Sequence, residues 1–310
     1  MRRADIGSSG SAIHGSPGSA IHGLLGSAIR PALITAGNLT SALVRRPPTE
    51  NQVGWDPAQP LNPQKLNAFD AVFHLAGKNI FGLWTQRFKH EIRDSRVVGT
   101  QTLANAAAES FRQAGMPRTL VAASAIGYYG ERGGELLSEQ SPPGSGFLAK
   151  VCLEWEAATV RAADAGIRVV NLRIGVVLTK QGGALKAMLP AFRLGLGGPV
   201  GNGRQYWSWI ALDDLVNVFL FALSDDKLRG PVNAVAPNPA RNGEFTLTLA
   251  KALHRPAIFP LPAFVVRTLF GEMGESLLLA SARVQPVKLE AAGYGFRHPE
   301  LAAALRSVLG

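Results

Sequence analysis

The sequence predicts an α/β protein with a doubly wound parallel sheet and a small, mostly helical C-terminal subdomain. Apolar runs of strand length, such as "DAVFHLAG", "TLVAASA" and "RVVNLRIGVVL", are typical of strands that are buried on both faces of a parallel sheet. Longer helix-like segments lie between these runs, and this alternation indicates βαβ units. After residue 256, prolines break the chain into short helix-like pieces, which predicts the subdomain.

The first helix and strand follow a glycine-rich N-terminal segment. The stretch "LLGSAIRPALITAGNLTSALV" predicts a helix, a turn at Gly37 and Asn38, and a strand over residues 39–44. Arg45 and Arg46 end that strand, and two prolines stop it. The run "DAVFHLAG" then predicts the next strand, which a glycine closes.

The middle of the chain continues the alternation of helix and strand. A long helix is predicted over residues 84–114 and ends at Gly115, before the strand "TLVAASA". A second helix is predicted over residues 147–165 and ends at Gly166, before the strand "RVVNLRIGVVL". The predicted sheet therefore gains one strand after each helix.

The last third of the chain predicts one more helix and strand before the subdomain. The stretch "LDDLVNVFLFAL" predicts a helix whose first turn carries Asp213 and Asp214, where carboxylates are favourable. A short strand, "GPVNAVAP", follows it. We therefore divide the chain into a duplicated Gly/Ser-rich segment (1–22), a Rossmann-type domain (23–256) and a C-terminal helical subdomain (257–310).

The composition argues against several kinds of partner. The chain of 310 residues is 46% hydrophobic, and 32 Lys and Arg residues against 22 Asp and Glu residues give a net charge of +10. The basic residues are scattered, so no nucleic-acid partner is expected. No apolar run approaches the roughly 18–20 residues of a membrane span, so no membrane partner is expected. The six histidines show no metal-ligand spacing.

The single cysteine, Cys152, excludes a disulfide within the chain and indicates a reducing compartment. We expect a cytoplasmic protein, with organelle targeting through the N-terminus as the lesser alternative. No histidine lies near Cys152 in the sequence to activate a thiolate. Cys152 is therefore predicted to be a small, buried hydrophobic residue on a helix.

The segment "GSSGSAIHGSPGSAIHGLLGSAIR" repeats one short glycine-containing unit. In a sheet of this kind, a glycine turn between the first strand and the first helix binds a pyrophosphate through backbone N–H groups. In one interpretation, Gly7 and Gly10 follow the short strand "ADI" and form the first half of this loop, Gly26 forms its end, and the residues between are an insertion. In the other, Gly23 and Gly26 form the loop alone and the first strand is lost.

Arg45 and Arg46 indicate which dinucleotide binds. At the end of this strand an acidic residue binds the ribose 2′-hydroxyl of NAD, whereas an arginine accommodates the 2′-phosphate of NADP. No acidic residue follows the strand before Glu50. We therefore expect NADP as the cofactor, and the alternative is a pair of solvated arginines.

A family resemblance extends over most of the chain. It rests on segments in a fixed order: "HLAGKNI", "RDSRVVGT", "ASAIGYYG", "FLAKVCLEWE", "LRIGVVL", "GGALKAMLPAFRLGLGGPVGNGRQYWSWIALDDL" and "GPVNAVAPNPARNGEF". The chain resembles extended short-chain dehydrogenase/reductases of the NAD-dependent epimerase/dehydratase family, in the YfcH-like branch that carries a C-terminal domain of unknown function. The resemblance runs from about residue 23 to the C-terminus, and it implies a Rossmann-type fold and a bound NADP.

The resemblance also implies further cofactor contacts at strand ends and on the following helix: Leu75, Ala76, Gly77, Glu91, Arg96 and Val177. Leu75, Ala76 and Gly77 are implied to line the adenosine and ribose part of the cleft. For Glu91 and Arg96, the alternative is a solvated pair on the face of the helix.

The catalytic residues of this superfamily are only partly present. Its dehydrogenases use a Tyr-x-x-x-Lys pair, in which the lysine lowers the pKa of the tyrosine and the tyrosine transfers a proton. The chain lacks this pair, because alignment places Leu148 at the tyrosine position and Cys152 at the lysine position. Ser124 matches the serine that binds a substrate oxygen. Tyr128 and Tyr129 lie close to it in the sequence as candidate proton donors.

We therefore expect an NADP-binding oxidoreductase or nucleotide-sugar epimerase that acts on an unidentified small molecule. The missing Tyr-x-x-x-Lys pair leaves a second hypothesis open, a catalytically silent, NADP-sensing protein that acts through a protein partner. Helix pairs of this superfamily often form dimers, so the resemblance also implies a homodimer.

Overall fold

The computed structural model describes residues 10–14, 23–45, 47–50 and 52–310. Its strands are β1 (Gly10–His14), β2 (Leu39–Val44), β3 (Gln52–Gly54), β4 (Ala71–His74), β5 (Thr119–Ala125), β6 (Leu136–Leu137), β7 (Arg168–Ile174), β8 (Val176–Leu178), β9 (Tyr206–Trp207), β10 (Trp209–Ala211), β11 (Gly230–Ala234), β12 (Ala240–Arg241) and β13 (Arg283–Val284). Its helices are α1 (Leu24–Thr35), α2 (Gln86–Ala114), α3 (Phe147–Ala157), α4 (Val160–Asp164), α5 (Gly183–Arg193), α6 (Leu212–Ser224), α7 (Asn242–Leu253), α8 (Ala263–Gly274), α9 (Val287–Ala291) and α10 (Leu301–Leu309). None of the helices in the described ranges combines the length and the apolar character that a membrane span requires.

Seven of the described strands form one parallel sheet in the order β11-β7-β5-β4-β1-β2-β3. Ile13 of β1 lies opposite Ala42 of β2 on one side and opposite Phe73 of β4 on the other. The chain therefore adds strands in one direction from β1 and then in the other, which makes the crevice between β1 and β4 the switch point of the sheet. The predicted doubly wound parallel sheet is confirmed.

The first strand lies later in the chain than the sequence predicts. Gly10 is the first residue of β1, so its predicted place in a phosphate loop is wrong, and so is the alternative without a first strand. Gly7 lies outside the described residues. The strand forms because β2 and β4 bind its backbone from both sides, which local composition does not predict. Since β1 ends at His14 and α1 begins at Leu24, residues 15–23 connect them.

The next elements agree with the sequence prediction. Gly37 has a φ of +85° in the turn between α1 and β2, and β2 has the predicted bounds. The helix α2 begins two residues later than predicted because Thr85 caps it. The Oγ1 atom of Thr85 accepts a hydrogen bond from the N–H of Phe88 at 3.2 Å. The helix ends, as predicted, at Gly115, which has a φ of +70°.

Two predicted elements are each divided in the structure. The predicted helix over 147–165 is α3 followed by α4, and they separate where the Thr159 hydroxyl donates to the carbonyl of Glu156 at 2.7 Å. The predicted strand "RVVNLRIGVVL" is β7 followed by β8, with Gly175 between them. A Cβ at Gly175 would lie 2.6 Å from the carbonyl oxygen of Ser208. The strand β8 then pairs with β10, outside the main sheet.

Helices cover both faces of the sheet. On one face, Ile29 of α1 and Phe219 of α6 belong to the same buried cluster as Phe73 of β4. On the other face, Leu103 of α2 packs in a cluster with Leu120 of β5. These side chains are almost completely buried, and burying apolar surface of this kind is the main favourable contribution to folding. The sheet is therefore fixed between two helical layers.

The C-terminal segment is helical, as predicted, and Asp214 ties it to the sheet domain. Asp213 and Asp214 lie in the first turn of α6, as the sequence predicts. The fully buried Asp214 carboxylate accepts hydrogen bonds from the backbone N–H groups of Arg297 (2.8 Å) and His298 (2.9 Å). Asp214 therefore anchors the chain just before α10. The boundaries of the three predicted segments stay a prediction.

Candidate functional site

The predicted site residues collect at the carboxyl edge of the sheet. Arg45 follows β2, residues 75–77 follow β4, and Ser124 lies near the end of β5. Because parallel strands end at the same edge, these residues lie along one side of the sheet, next to the switch point. The amino end of α1 meets them there because α1 follows β1.

The amino end of α1 suits a bound anion. Gly23 is the N-cap residue, it has no side chain to cap the helix, and the first turn contains no acidic residue. The first N–H groups of a helix have no partners within the helix and carry the positive end of its dipole. Gly26 is buried in this first turn, and a Cβ there would meet no described atom within 4 Å. A phosphate group can therefore approach the backbone closely.

Arg45 stands exposed at the end of β2. It forms no ion pair with any other residue that the structure describes. A free guanidinium binds phosphate oxygens through two parallel hydrogen bonds, which a paired one does less readily. Arg46 lies outside the described residues. The structure thus places Arg45 as the sequence predicts, and its contact with a 2′-phosphate stays a prediction.

Arg96 supports the loop that follows β4. Its Nη1 donates to the carbonyl of Ile92 and its Nη2 to the carbonyl of Lys78, both at 3.0 Å. Burial lowers the pKa of Arg96. A Cβ at Gly77 would lie only 3.1 Å from the Cζ of Arg96, so glycine permits this close approach. Arg96 is therefore a partly buried residue that supports the loop through two backbone carbonyls.

Glu91 holds the same loop from a different side. Its carboxylate binds Lys78 and lies 3.1 Å from the Nε of Arg87. The hydrogen bond from Lys78 is the main cause that lowers the pKa of Glu91. Lys78 directly follows Gly77. Glu91 therefore holds the residue that comes immediately after the predicted cofactor-binding residues 75–77. Glu91 and Arg96 thus make separate contacts, Glu91 with Lys78 and Arg87 and Arg96 with backbone carbonyls. The contact of both residues with a cofactor stays a prediction.

Leu75, Ala76 and Val177 form the apolar part of the edge. Leu75 and Val177 are half-buried against the same core cluster as Leu25 of α1, and Ala76 is almost completely buried. The structure therefore brings residues from β4, β8 and α1 together, as the family resemblance implies. Their contact with a cofactor stays a prediction.

A buried polar network lies at the ends of β5 and β7. The Ser124 hydroxyl donates to Glu156 Oε1 at 2.7 Å. Arg173 donates to both carboxylate oxygens of Glu156, each at 2.8 Å. Sequence reasoning missed Glu156 and Arg173 as members of the site. A signal was present, however, because Arg173 interrupts the otherwise apolar run "RVVNLRIGVVL".

The two adjacent tyrosines differ in their surroundings. Tyr129 is completely buried; its hydroxyl lies 2.7 Å from Asn233 Oδ1 and accepts a hydrogen bond from Arg173 Nη1 at 2.9 Å. Burial raises the pKa of Tyr129 to about 12, although the positive charge of Arg173 opposes this shift. The ring of Tyr128 lies with its centroid 3.5 Å from the Cζ of Arg173. Arg173 thus contacts Tyr129 through the hydroxyl and Tyr128 through the face of its ring.

Leu148 and Cys152 flank the turn Ile126–Tyr129 that follows β5. A Cβ at Gly127 would lie 3.4 Å from the Cβ of Leu148 and 3.7 Å from the Sγ of Cys152. The positions that carry the tyrosine and the lysine in the superfamily thus lie beside the strand end, but their side chains are apolar. Burial raises the pKa of Cys152 to about 12, and its prediction as a buried residue is confirmed.

Two protein families match the sequence. Residues 21–234 match the NAD dependent epimerase/dehydratase family, and residues 261–308 match a domain of unknown function, DUF1731. The first match covers the strands from β2 to β11, and the second covers α8, α9 and most of α10. The resemblance seen in the sequence is thereby confirmed for both parts of the chain.

Related sequences match this chain over most of their length. The epimerase family protein Mb2239 of Mycobacterium bovis is 42% identical over 277 residues, which cover 88% of this chain and 90% of that protein. The epimerase family protein SDR39U1 of Homo sapiens is 37% identical over 281 residues, which cover 89% of this chain and 94% of that protein.

Solved structures of other proteins also match the fold of this chain. The crystal structure of human epimerase family protein SDR39U1 (isoform 2) with NADPH matches with a TM-score of 0.86 at 35% identity, over 96% of this chain and 98% of that one. The UDP-N-acetylglucosamine 4-epimerase from Bacillus cereus matches with a TM-score of 0.73 at 18% identity, over 97% and 95% of the two chains. This second likeness shows the fold alone.

Proposed function

Because this chain belongs to the NAD-dependent epimerase/dehydratase family, we propose that it binds NADP(H) at the carboxyl edge of its parallel sheet. The observation that carries this proposal is the exposed Arg45 at the end of β2, which has no ion-pair partner among the described residues. The amino end of α1 offers N–H groups to a pyrophosphate beside it. The structure of human SDR39U1 with NADPH supports the same cofactor here.

Each part of this cofactor has a counterpart among the residues of the edge. In our proposal, the backbone at Gly23 and Gly26 binds the pyrophosphate, and Arg45 binds the 2′-phosphate together with Arg46, its neighbour in the sequence. The rest of the cofactor is lined by the half-buried and buried residues of the edge: Leu75, Ala76, Gly77 and Val177. The bound nicotinamide supplies or accepts a hydride.

Ser124 and Tyr128 carry the proposed reaction, a redox reaction or an epimerisation of an unidentified small molecule. The Ser124 hydroxyl donates its single proton to Glu156, so it offers a substrate only its acceptor lone pairs. A substrate hydroxyl is therefore a better partner for Ser124 than a carbonyl group. Tyr128, with its ring against the Arg173 guanidinium, is the proposed proton donor and acceptor.

A second candidate function is NADP sensing without catalysis. It is favoured by the apolar side chains of Leu148 and Cys152, which occupy the positions of the superfamily's proton-transferring pair. A protein of this kind binds the cofactor and passes the signal to a protein partner. The two candidate functions share the cofactor site and differ in whether Ser124 and Tyr128 act on a substrate.

The cofactor assignment is tested with Arg45→Ala. Loss of a charge-assisted hydrogen bond to a 2′-phosphate is expected to weaken NADP binding by about tenfold or more and to leave NAD binding unchanged. Calorimetric titration of both dinucleotides measures this difference. The matched control is Arg161→Ala, which removes another exposed arginine, on α4. Equal losses of NADP and NAD affinity in the Arg45 variant would contradict the assignment.

The reaction is tested by nicotinamide absorbance. The protein with NADP⁺ is screened against hydroxyl compounds and nucleotide sugars, and the protein with NADPH is screened against carbonyl compounds. Turnover that Tyr128→Phe reduces while NADP affinity is kept supports the enzyme. Tight NADP binding without turnover of any compound, unchanged by Ser124→Ala, supports the sensor instead.

A further inference from the structure

A cavity of about 490 Å³ lies between the sheet domain and the C-terminal segment. Its wall comes from the turn 131–134 after β5, the loop 201–206 that leads into β9, and α8 with the π-helical turn Glu275–Leu279. We call it the arginine cavity, because three arginines line it: Arg204, Arg241 and Arg267. It shares no lining residue with the proposed cofactor edge or with Ser124 and Tyr128.

Both carboxylates in the wall of the arginine cavity already have partners. Glu275 binds Arg267, with Nε–Oε2 at 2.6 Å and Nη2–Oε1 at 3.2 Å. Glu131 accepts hydrogen bonds from the backbone N–H groups of Gly133 at 2.9 Å and Ser281 at 2.5 Å. One of the three lining arginines is thus neutralised by its neighbour, and the other two are not.

Tyr206, which lines the arginine cavity, also contacts an arginine outside that lining, Arg283. The Cζ atoms of Arg241 and Arg283 lie 5.4 Å and 5.0 Å from the centroid of its ring, and Arg241 Nε donates to Tyr206 Oη at 3.3 Å. The Nε of Arg283 is buried and has no hydrogen-bond partner in the part of the chain that the structure describes. A buried donor without a partner is costly, so Arg283 would gain from an acceptor.

Arg204, Arg241 and Arg283 form no ion pair within the described ranges. Of these three, Arg204 and Arg241 line the arginine cavity, and an anion bound there is attracted by both charges. Arg204 and Arg241 are exposed residues of the cavity wall, and Tyr206 orients the guanidinium of Arg241. The wall contains three arginines against two carboxylates, Glu131 and Glu275, so it carries a net positive charge that favours an anion.

We infer that the arginine cavity binds the phosphate group of a small phosphorylated molecule, with Arg204 and Arg241 as its charged ligands. A phosphate monoester carries nearly two negative charges and three acceptor oxygens, which match two unpaired guanidiniums. The volume also admits the carbon part of such a molecule, because small-molecule pockets measure roughly 300–1,000 Å³. This site goes beyond the proposed function, since none of its residues binds NADP(H) in that proposal.

The experiment measures binding of inorganic phosphate to the full chain by calorimetry, without NADP. Removal of both unpaired charges in Arg204→Ala/Arg241→Ala is expected to weaken phosphate binding by about tenfold or more. Succinate, a dicarboxylate of similar charge, serves as the second probe and is expected to bind more weakly than phosphate. Arg161→Ala, the exposed arginine on α4, is expected to bind phosphate like the original protein.

Two outcomes would overturn the inference: unchanged phosphate affinity in the double variant, or succinate that binds as tightly as phosphate. NADP titration of the double variant reports folding independently, because its residues lie outside the proposed cofactor edge. Should the double variant fail to fold, Arg241→Gln alone is expected to weaken phosphate binding while the far-ultraviolet circular dichroism stays unchanged. If phosphate does not bind, the NADP proposal is unaffected. If NADP does not bind, the inference about the arginine cavity is unaffected.

Discussion

Arg173 binds the Glu156 carboxylate through two hydrogen bonds of 2.8 Å, and only 3% and 12% of the two side chains are exposed. Burial by itself lowers the pKa of Arg173, but the pairing with Glu156 and the contact with Tyr129 outweigh burial and hold that pKa above its usual value. Arg173 is therefore charged although it is buried. Glu156 also accepts the proton of the Ser124 hydroxyl, so it fixes the direction in which that hydroxyl donates.

Glu156→Gln is expected to lower the free energy of unfolding by about 3–5 kcal/mol, because it leaves the buried Arg173 without a compensating charge. The side chain keeps its shape, so the loss reports the charge and not a cavity. Chemical denaturation with urea measures the difference between the variant and the original protein.

The matched control for this prediction is Glu154→Gln. Glu154 pairs with Arg93 on the surface, where 27% and 40% of the side chains are exposed. Exposed ion pairs contribute about 0–1 kcal/mol, so this variant is expected to unfold almost like the original protein. Equal losses in the two variants would show that burial of the Arg173 pair has no special effect.

Most of the fold could be predicted because its strands are apolar runs and its helices have local end signals. The bounds of β2 and β5 follow from "LTSALV" and "TLVAASA", and Gly115 ends α2 through a left-handed conformation that glycine favours. The strand β1 could not be predicted in place. Its sequence occurs in a repeat, and only its pairing with β2 and β4 distinguishes one copy from the next.

The site could be predicted in part for the same reason. The place of Arg45 at the carboxyl edge could be predicted, because it comes directly after an apolar strand and parallel strands end at the same edge of the sheet. The contact between Glu156 and Arg173 joins a helix to a strand, and no spacing rule links those two positions. The contact of Arg96 with the loop at Gly77 was equally hidden, because it joins α2 to the loop after β4 and no spacing rule links those positions.

Cys152 is expected to resist thiol reagents in the folded protein. Its side chain is almost completely buried and its pKa is raised to about 12 by burial, so very little reactive thiolate exists at pH 8. Ellman's reagent measures the rate. Unfolded protein is the control and should release one equivalent rapidly, since the sequence contains one cysteine. Rapid labelling of the folded protein would contradict the buried environment.

Gly144→Ala is expected to destabilise the fold by about 3 kcal/mol, the upper end of the usual cost of overpacking. A Cβ at this position would lie 1.9 Å from the carbonyl oxygen of Tyr129, and backbone cannot move aside cheaply. Gly134→Ala is the control, because its Cβ would meet no described atom within 4 Å. Thermal unfolding of both variants checks the prediction, which fails if their melting temperatures are alike.

Tyr129→Phe is expected to cost about 2 kcal/mol near neutral pH, because it removes the hydroxyl between Arg173 and Asn233 and leaves buried groups unpaired. This difference should shrink at alkaline pH. The folded pKa of Tyr129 is raised from 10.0 to about 12, so the hydroxyl's contribution is complete below pH 10 and is lost as the pH rises through about 12. Over this interval the original protein loses about 1.4 kcal/mol of unfolding free energy per pH unit relative to the variant.

Urea unfolding of both proteins at pH 8, 10 and 11 measures the difference in unfolding free energy, and the contributions of other titrating groups cancel between the two proteins. A difference that stays constant from pH 8 to pH 11 would mean that Tyr129 ionises at the same pH in the folded and unfolded chains.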